Sequence, residues 1–276
     1  MYHYLSVGEG QTPIARIRMP PPDDDKHDNN DPDYLPKNKK ICKDYLENCL
    51  YINKSDVDGP DMPKQYKVTG KEVLKPLVTR ADVEGHANRT FIAGGTLSGK
   101  SYITSKMALD YHRQFPKNKV ILFSYVKEDD NYKPIKNLNK IRIDETILDD
   151  PIDLSELQDS LCIFDDIEHF TDKHIVNELE RLRNSCVNAG RHNNIDVIAV
   201  RQNLLDGSKT KTLLNSSFQI VAFPKSGGRY QLGEWLKRHM FMDKKTIDRI
   251  LNLPSRWILF NKNPNYVLYQ KGCFIL

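Results

Sequence analysis

Gly94, Gly99, Lys100 and Ser101 stand in the spacing Gly-x-x-x-x-Gly-Lys-Ser, within FIAGGTLSGKSYIT (residues 91–104). Each position has a physical use. Glycines permit a tight strand-to-helix turn and let backbone N–H groups converge on phosphate oxygens. A helix that starts at the end of such a loop adds the partial positive charge of its N-terminus. On this reading Gly94, Gly95, Thr96, Leu97, Ser98, Gly99, Lys100, Ser101 and Tyr102 form the nucleotide-binding segment. Lys100 reaches the β and γ phosphates of a nucleoside triphosphate, and the Ser101 hydroxyl binds Mg²⁺.

A second cluster follows about 65 residues on, in LCIFDDIEHF (residues 161–170). Four apolar residues end in two carboxylates. A buried strand ending in acids places them beside the phosphate loop if the sheet is parallel. Asp165 is then the Mg²⁺ partner, directly or through water. Asp166 is the candidate for activating the attacking water, and Glu168 competes with it.

Two more polar groups punctuate NAGRHNNIDVIAVRQN (residues 188–203). Gln202 ends an apolar run, where its amide can touch the γ-phosphate or the attacking water. Arg191 lies in the short segment before that run. An arginine there can stabilise charge on the transferred phosphoryl group, often from a neighbouring subunit. Arg183 and Arg201 compete for this role.

The elements that must position these residues show in the periodicity from residue 89 onward. TFIAG, KVILFSYV, LCIFDDI, IDVIAVRQ and SFQIVAFP are strand-like runs, and KIRID is a weaker one. Helical spacing fills the gaps. Ile103, Met107 and Tyr111 recur every fourth residue, and residues 172–190 predict a helix that stops at Gly190. Alternating strands and helices predict an α/β fold with a mostly parallel sheet flanked by helices. The last stretch, SRWILFNKNPNYVLYQKGCFIL, predicts consecutive strands with an Asn-Pro turn, a C-terminal β-hairpin at the sheet edge.

Composition bounds the rest. Residues 171–276 carry 17 lysines and arginines against 8 acids, whereas residues 1–170 carry 24 against 29. The basic excess suits a polyanion. In PKSGGRYQ (residues 224–231), Lys225, Arg229 and Tyr230 predict a flexible loop for DNA contact. Five cysteines with no CxxC pair argue for unpaired thiols and against zinc, with Cys162 a small core residue. No window reaches 18 apolar residues, and no signal-peptide pattern opens the chain. Residues 18–40 are rich in Pro, Asp, Asn and Lys, and predict a flexible acidic arm. We therefore divide the chain into an N-terminal extension, 1–88, and a P-loop ATPase domain, 89–276.

The motif order resembles the poxvirus-type genome-packaging ATPases of the FtsK–HerA superfamily, found in large eukaryotic DNA viruses, virophages and Polinton-like elements. The Arg-His to Gln segment carries the likeness most specifically, with GGTLSGKS, LCIFDDIE and the terminal RWILFNKNPNYVLYQKG. The resemblance covers residues 89–276. It implies a motor-type P-loop NTPase in which a strand is inserted between the P-loop and Mg²⁺-acid strands. It also implies ATP and Mg²⁺ as cofactors, double-stranded DNA as partner, and a ring homo-oligomer, pentamer or hexamer. The activity implied is ATP hydrolysis that drives a viral genome into a preformed capsid, with a capsid or portal protein as further partner. The setting would be a virus-infected host cell, in cytoplasm or nucleus, or the virion. One departure is Asp-Asp where many motor ATPases carry Asp-Glu, and a shorter carboxylate reaches less far. The rival readings are a P-loop phosphotransferase acting on a small molecule and a nucleotide-binding assembly module without turnover.

Overall fold

The computed structural model describes residues 87–275 apart from 127–128, 136–137 and 263–264, and short strands before them. Those strands are β1 (His3–Val7), β2 (Pro13–Arg18), β3 (Cys49–Ile52), β4 (Gln65–Lys67) and β5 (Val73–Pro76). Four of them form a separate sheet in the order β3-β1-β2-β5. The arm expected at 18–40 lies outside the described residues, save Arg18.

The main part runs β6 (Arg89–Ala93), α1 (Lys100–Gln114), β7 (Lys119–Ser124), β8 (Leu138–Lys140), α2 (Thr146–Asp149) and β9 (Ser160–Asp165). It continues with α3 (Lys173–Ala189), β10 (Ile195–Arg201), α4 (Ser208–Ser216), β11 (Gln219–Ala222), α5 (Arg229–His239) and α6 (Lys244–Leu251). Strands β12 (Ile258–Lys262), β13 (Asn265–Tyr269) and β14 (Gly272–Ile275) end it. The sheet order is β4-β14-β13-β12-β11-β6-β10-β9-β7-β8. From β11 to β8 every pair is parallel, and from β12 to β4 the pairing is antiparallel.

The reason for this layering is visible in single strands. In β9 all six residues are buried, and alternate side chains enter opposite layers. Leu161 and Ile163 join the layer that receives Ile103, Met107 and Tyr111 of α1. Cys162 and Phe164 join the other, with Leu179, Leu182 and Cys186 of α3 and Trp235 of α5. A strand covered on both faces needs apolar residues at every position, and full burial of each contributes about 1.5–3 kcal/mol.

The helix predicted from Ile103, Met107 and Tyr111 and the stacked C-terminal strands are present, the latter lengthening the sheet beyond β11. Three local expectations are corrected. In KIRID only Lys140 belongs to β8; the rest leaves the sheet, with the Ile141 amide donating to the Leu122 carbonyl. The helix does stop at Gly190, but that residue does not turn the chain in the left-handed region. It has φ −57° and continues into a 3₁₀ turn, and Asn194 at φ 54° makes the reversal. A Cβ on Gly190 would lie 3.2 Å from Ile195 Cβ, so close packing explains the residue. The segment 224–231 is not an open loop throughout: Pro224–Gly228 makes a tight turn with Gly227 at φ 85°, and α5 begins at Arg229.

Candidate functional site

Parallel strands place their C-terminal ends at one edge of the sheet, and the expected site residues converge there. The P-loop leaves β6, Asp165 ends β9, and Gln202 follows β10. The inserted strand is β10, which lies between β6 and β9 although it follows both in sequence. The strands between the two motifs in sequence, β7 and β8, lie beyond β9 instead.

The P-loop is held by its surroundings. Gly94 donates its N–H to the Arg201 carbonyl at 3.2 Å, and Ser98 donates to the Gly95 carbonyl at 3.2 Å. A Cβ on Gly94 would meet Phe223 Cδ2 at 2.6 Å, and one on Gly95 would meet the Ser226 carbonyl at 2.9 Å. The turn after β11, read from sequence as a DNA loop, therefore walls the phosphate loop. Gly99 has φ 105° and opens α1, whose first turn has no side-chain cap. Its N–H groups are thus left for an anion. Thr96 and Leu97 form the exposed tip, and Tyr102 lies half-exposed on α1 with Lys106 Nζ 5.4 Å from its ring centre. Lys100 is buried and folds back so that Nζ is 3.5 Å from the Gly95 carbonyl. Ser101 is half-buried in the first turn of the helix.

The acids face this loop. Asp165 Oδ2 accepts from the buried Tyr132 hydroxyl at 3.0 Å. Burial first, then the neighbouring Asp166 charge, pushes the Asp165 carboxyl up to about 6, while the Tyr132 bond and the Lys100 charge pull the other way. Burial and the Asp165 carboxylate raise Tyr132 well above the usual phenol value, which keeps it a donor. Asp166 sits at φ 50°, so the chain turns sharply after Asp165. Glu168 Oε1 lies 3.7 Å from Arg201 Nε. Gln202 Nε2 is 3.0 Å from His169 Nε2. Neither Tyr132 nor His169 was singled out from sequence. Tyr132 enters from a turn more than 30 residues upstream, and only the β7–β9 pairing explains its approach.

The residues fit Mg²⁺ and a nucleoside triphosphate. Ser98 Oγ, Asp165 Oδ1 and Asp166 Oδ1 are buried without a hydrogen-bond partner among the described residues. Such atoms are costly unless a ligand completes them. Atoms of Asp166, Glu168 and His169 also lie within 4.8 Å of one another.

The arginines separate clearly. Arg201 is buried and gives Nη1 to Glu180 Oε1 at 2.7 Å. Arg183 is buried too, 3.6 Å from the same Glu180 oxygen. Neither can project toward another subunit, which removes both as finger candidates. Arg191 is exposed, in the turn before β10; burial first, and then the nearby Arg191 charge, lower the pKa of the Arg89 guanidinium. That is the opposite end of the sheet from the P-loop. The seven residues of β10 separate them, a span of about 20 Å at strand rise. Arg229 is committed as well: its guanidinium donates to the Leu251 carbonyl at 2.8 Å and Asn252 Oδ1 at 3.0 Å. Lys225 is exposed on the turn after β11.

No protein-family model matches the chain. A curated relative does: it is 37% identical to the uncharacterized protein V3 of Sputnik virophage over 186 residues, 66% of this chain and 74% of that protein. The chain belongs to the family of V3. The kinship with a virophage protein expected from the motifs is borne out by this relative. Among solved structures, the DNA-packaging ATPase B204 of Sulfolobus turreted icosahedral virus matches with TM-score 0.47 and 13% identity, over 67% of this chain and 97% of B204. The conjugation coupling protein TcpA of pCW3 matches with TM-score 0.48 and 11% identity, over 79% of this chain and 68% of TcpA. Among the described residues of this V3-family chain, no helix is long and apolar enough to cross a membrane.

Proposed function

We propose that the chain is an ATP-driven double-stranded DNA translocase that packages a viral genome into a preformed capsid. The observation that carries the ATPase reading is the order β6-β10-β9. It brings Lys100, Asp165, Asp166 and Gln202 to one edge. A small-molecule phosphotransferase needs no such inserted strand. The virophage kinship and the packaging-ATPase motif order support DNA as the track.

Bound ATP with Mg²⁺ supplies the phosphoanhydride bond and a metal that neutralises developing charge. The protein's own groups do the rest. Backbone amides of the loop other than that of Ser98, with Lys100, would orient the phosphates. Ser101 and Asp165 would hold the metal, with Tyr132 fixing the Asp165 carboxylate. Asp166 takes the proton of the attacking water, because Glu168 is drawn toward Arg201. His169 holds the Gln202 amide beside that water.

Arg191 acts in trans on this reading. A heterologous interface that closes into a ring sets one end of each subunit against the opposite end of the next. The exposed N-terminal edge of the sheet, with Arg191, would then meet a neighbour's P-loop edge. Lys225 contributes to non-specific phosphate contact. Residues 89–276 act as the motor and residues 1–88 as an extension.

The test is phosphate release from ATP with and without duplex DNA. Stimulation by DNA of any sequence, lost in Lys100→Ala, is the expected result. Turnover that ignores DNA would favour a phosphotransferase, and none at all an assembly module.

A further inference from the structure

Arg256 lies between α6 and β12, 158 residues from Ser98, yet it grips the P-loop. Its Nε donates to the Ser98 carbonyl at 2.7 Å and its Nη2 to the Leu97 carbonyl at 2.7 Å. We infer that Arg256 is a positioning residue for phosphate binding: its guanidinium fork holds two successive P-loop carbonyls, so that the Gly99 amide is turned toward the phosphates while the Ser98 amide closes the loop on Gly95. This rests on the reading that the P-loop holds a nucleoside triphosphate.

The argument is one of peptide geometry. In a trans peptide the C=O and the following N–H point in opposite directions. Fixing the Ser98 carbonyl on Arg256 aims the Gly99 N–H away from it, toward the start of α1. Fixing the Leu97 carbonyl does the same for the Ser98 N–H, which meets the Gly95 carbonyl at 3.2 Å. The loop needs such a restraint. Leu97 has φ 61° and Gly99 φ 105°, and Leu97 is 90% exposed, so its own side chain does not anchor it. A left-handed leucine persists only where its surroundings impose the conformation.

Arg256 is itself held in register. Its backbone N–H donates to Gln270 Oε1 at 2.8 Å, and the Gln270 N–H donates to Ser255 Oγ at 3.1 Å. Gln270 directly follows β13. The antiparallel strands appended to the parallel sheet thus reach back, through one guanidinium, to the phosphate loop. A planar fork with two parallel donors suits two successive carbonyls, and an ammonium does not.

The experiment is calorimetric titration of Mg²⁺-AMPPCP into the full chain, comparing wild type, Arg256→Lys, Arg256→Ala and Lys100→Ala, with melting curves taken without nucleotide. Arg256→Lys keeps the charge and loses the fork. We expect both Arg256 variants to bind about tenfold or more weakly, with nucleotide-free melting close to wild type. Wild-type affinity in Arg256→Lys, with Lys100→Ala still deficient, overturns the inference and leaves the P-loop reading intact. A lowered melting point with unchanged affinity also overturns it, because Arg256 would then be a structural staple. Wild-type affinity in Lys100→Ala removes the P-loop reading, and the inference falls with it.

Discussion

The Arg201 carbonyl accepts the Gly94 amide at 3.2 Å, so the strand that ends in Gln202 is tied directly to the first glycine of the P-loop. The same residue's side chain, 4% exposed, reaches Glu180 at 2.7 Å, Glu168 at 3.7 Å and Asp206 at 3.8 Å. One residue thereby joins the phosphate loop, an acid of the site and α3.

Arg201→Ala should therefore destabilise the protein strongly. Removing one partner of a buried ion pair costs about 3–5 kcal/mol, because the others stay buried and uncompensated. Denaturant unfolding should show the midpoint falling with little change in slope.

Asp166→Asn should spare nucleotide affinity and lower turnover by about two to four orders of magnitude, the usual worth of a general base. Glu168→Gln should reduce turnover far less. Single-turnover hydrolysis separates the two. The reverse ranking would assign the base to Glu168.

Lys225→Ala should weaken binding to any duplex by a similar factor. The slope of log K against log salt should flatten by about 0.9, the value for one phosphate that the protein no longer neutralises. Arg229→Ala should alter the slope less, since its guanidinium already serves Leu251 and Asn252. Fluorescence anisotropy across a salt series reads both.

Arg191→Ala should keep nucleotide affinity and lose hydrolysis by about three to five decades, the range for arginine fingers. Its place at the sheet end opposite its own P-loop excludes action in cis. Mixing it with Lys100→Ala protein should restore part of the activity, because one interface then pairs an intact P-loop with an intact arginine. No recovery despite demonstrated subunit exchange would remove Arg191 from the site.

The phosphate loop, the acid strand and the strand–helix alternation were legible because their signals are local. A glycine spacing, an apolar run ending in acids and a four-residue recurrence each sit within one element. Order across the sheet is not local. That β10 inserts between β6 and β9 follows from pairing, and periodicity is silent on pairing. The role of Arg256 was invisible for the same reason: 158 residues separate it from Ser98, and its segment reads only as strands. PKSGGRYQ misled because two glycines and flanking cations suit an open loop equally well. What decides there is Phe223 packed on Gly94 and the Ser226 carbonyl against Gly95.

The central claim is that ATP hydrolysis moves the protein along duplex DNA. A triplex-displacement assay tests it most directly, since a motor travelling on the duplex strips off a third strand bound ahead of it. The account predicts ATP-dependent displacement by wild type, none with AMPPCP, and none by Lys100→Ala. DNA-stimulated hydrolysis without displacement, in protein shown to be assembled, would contradict it.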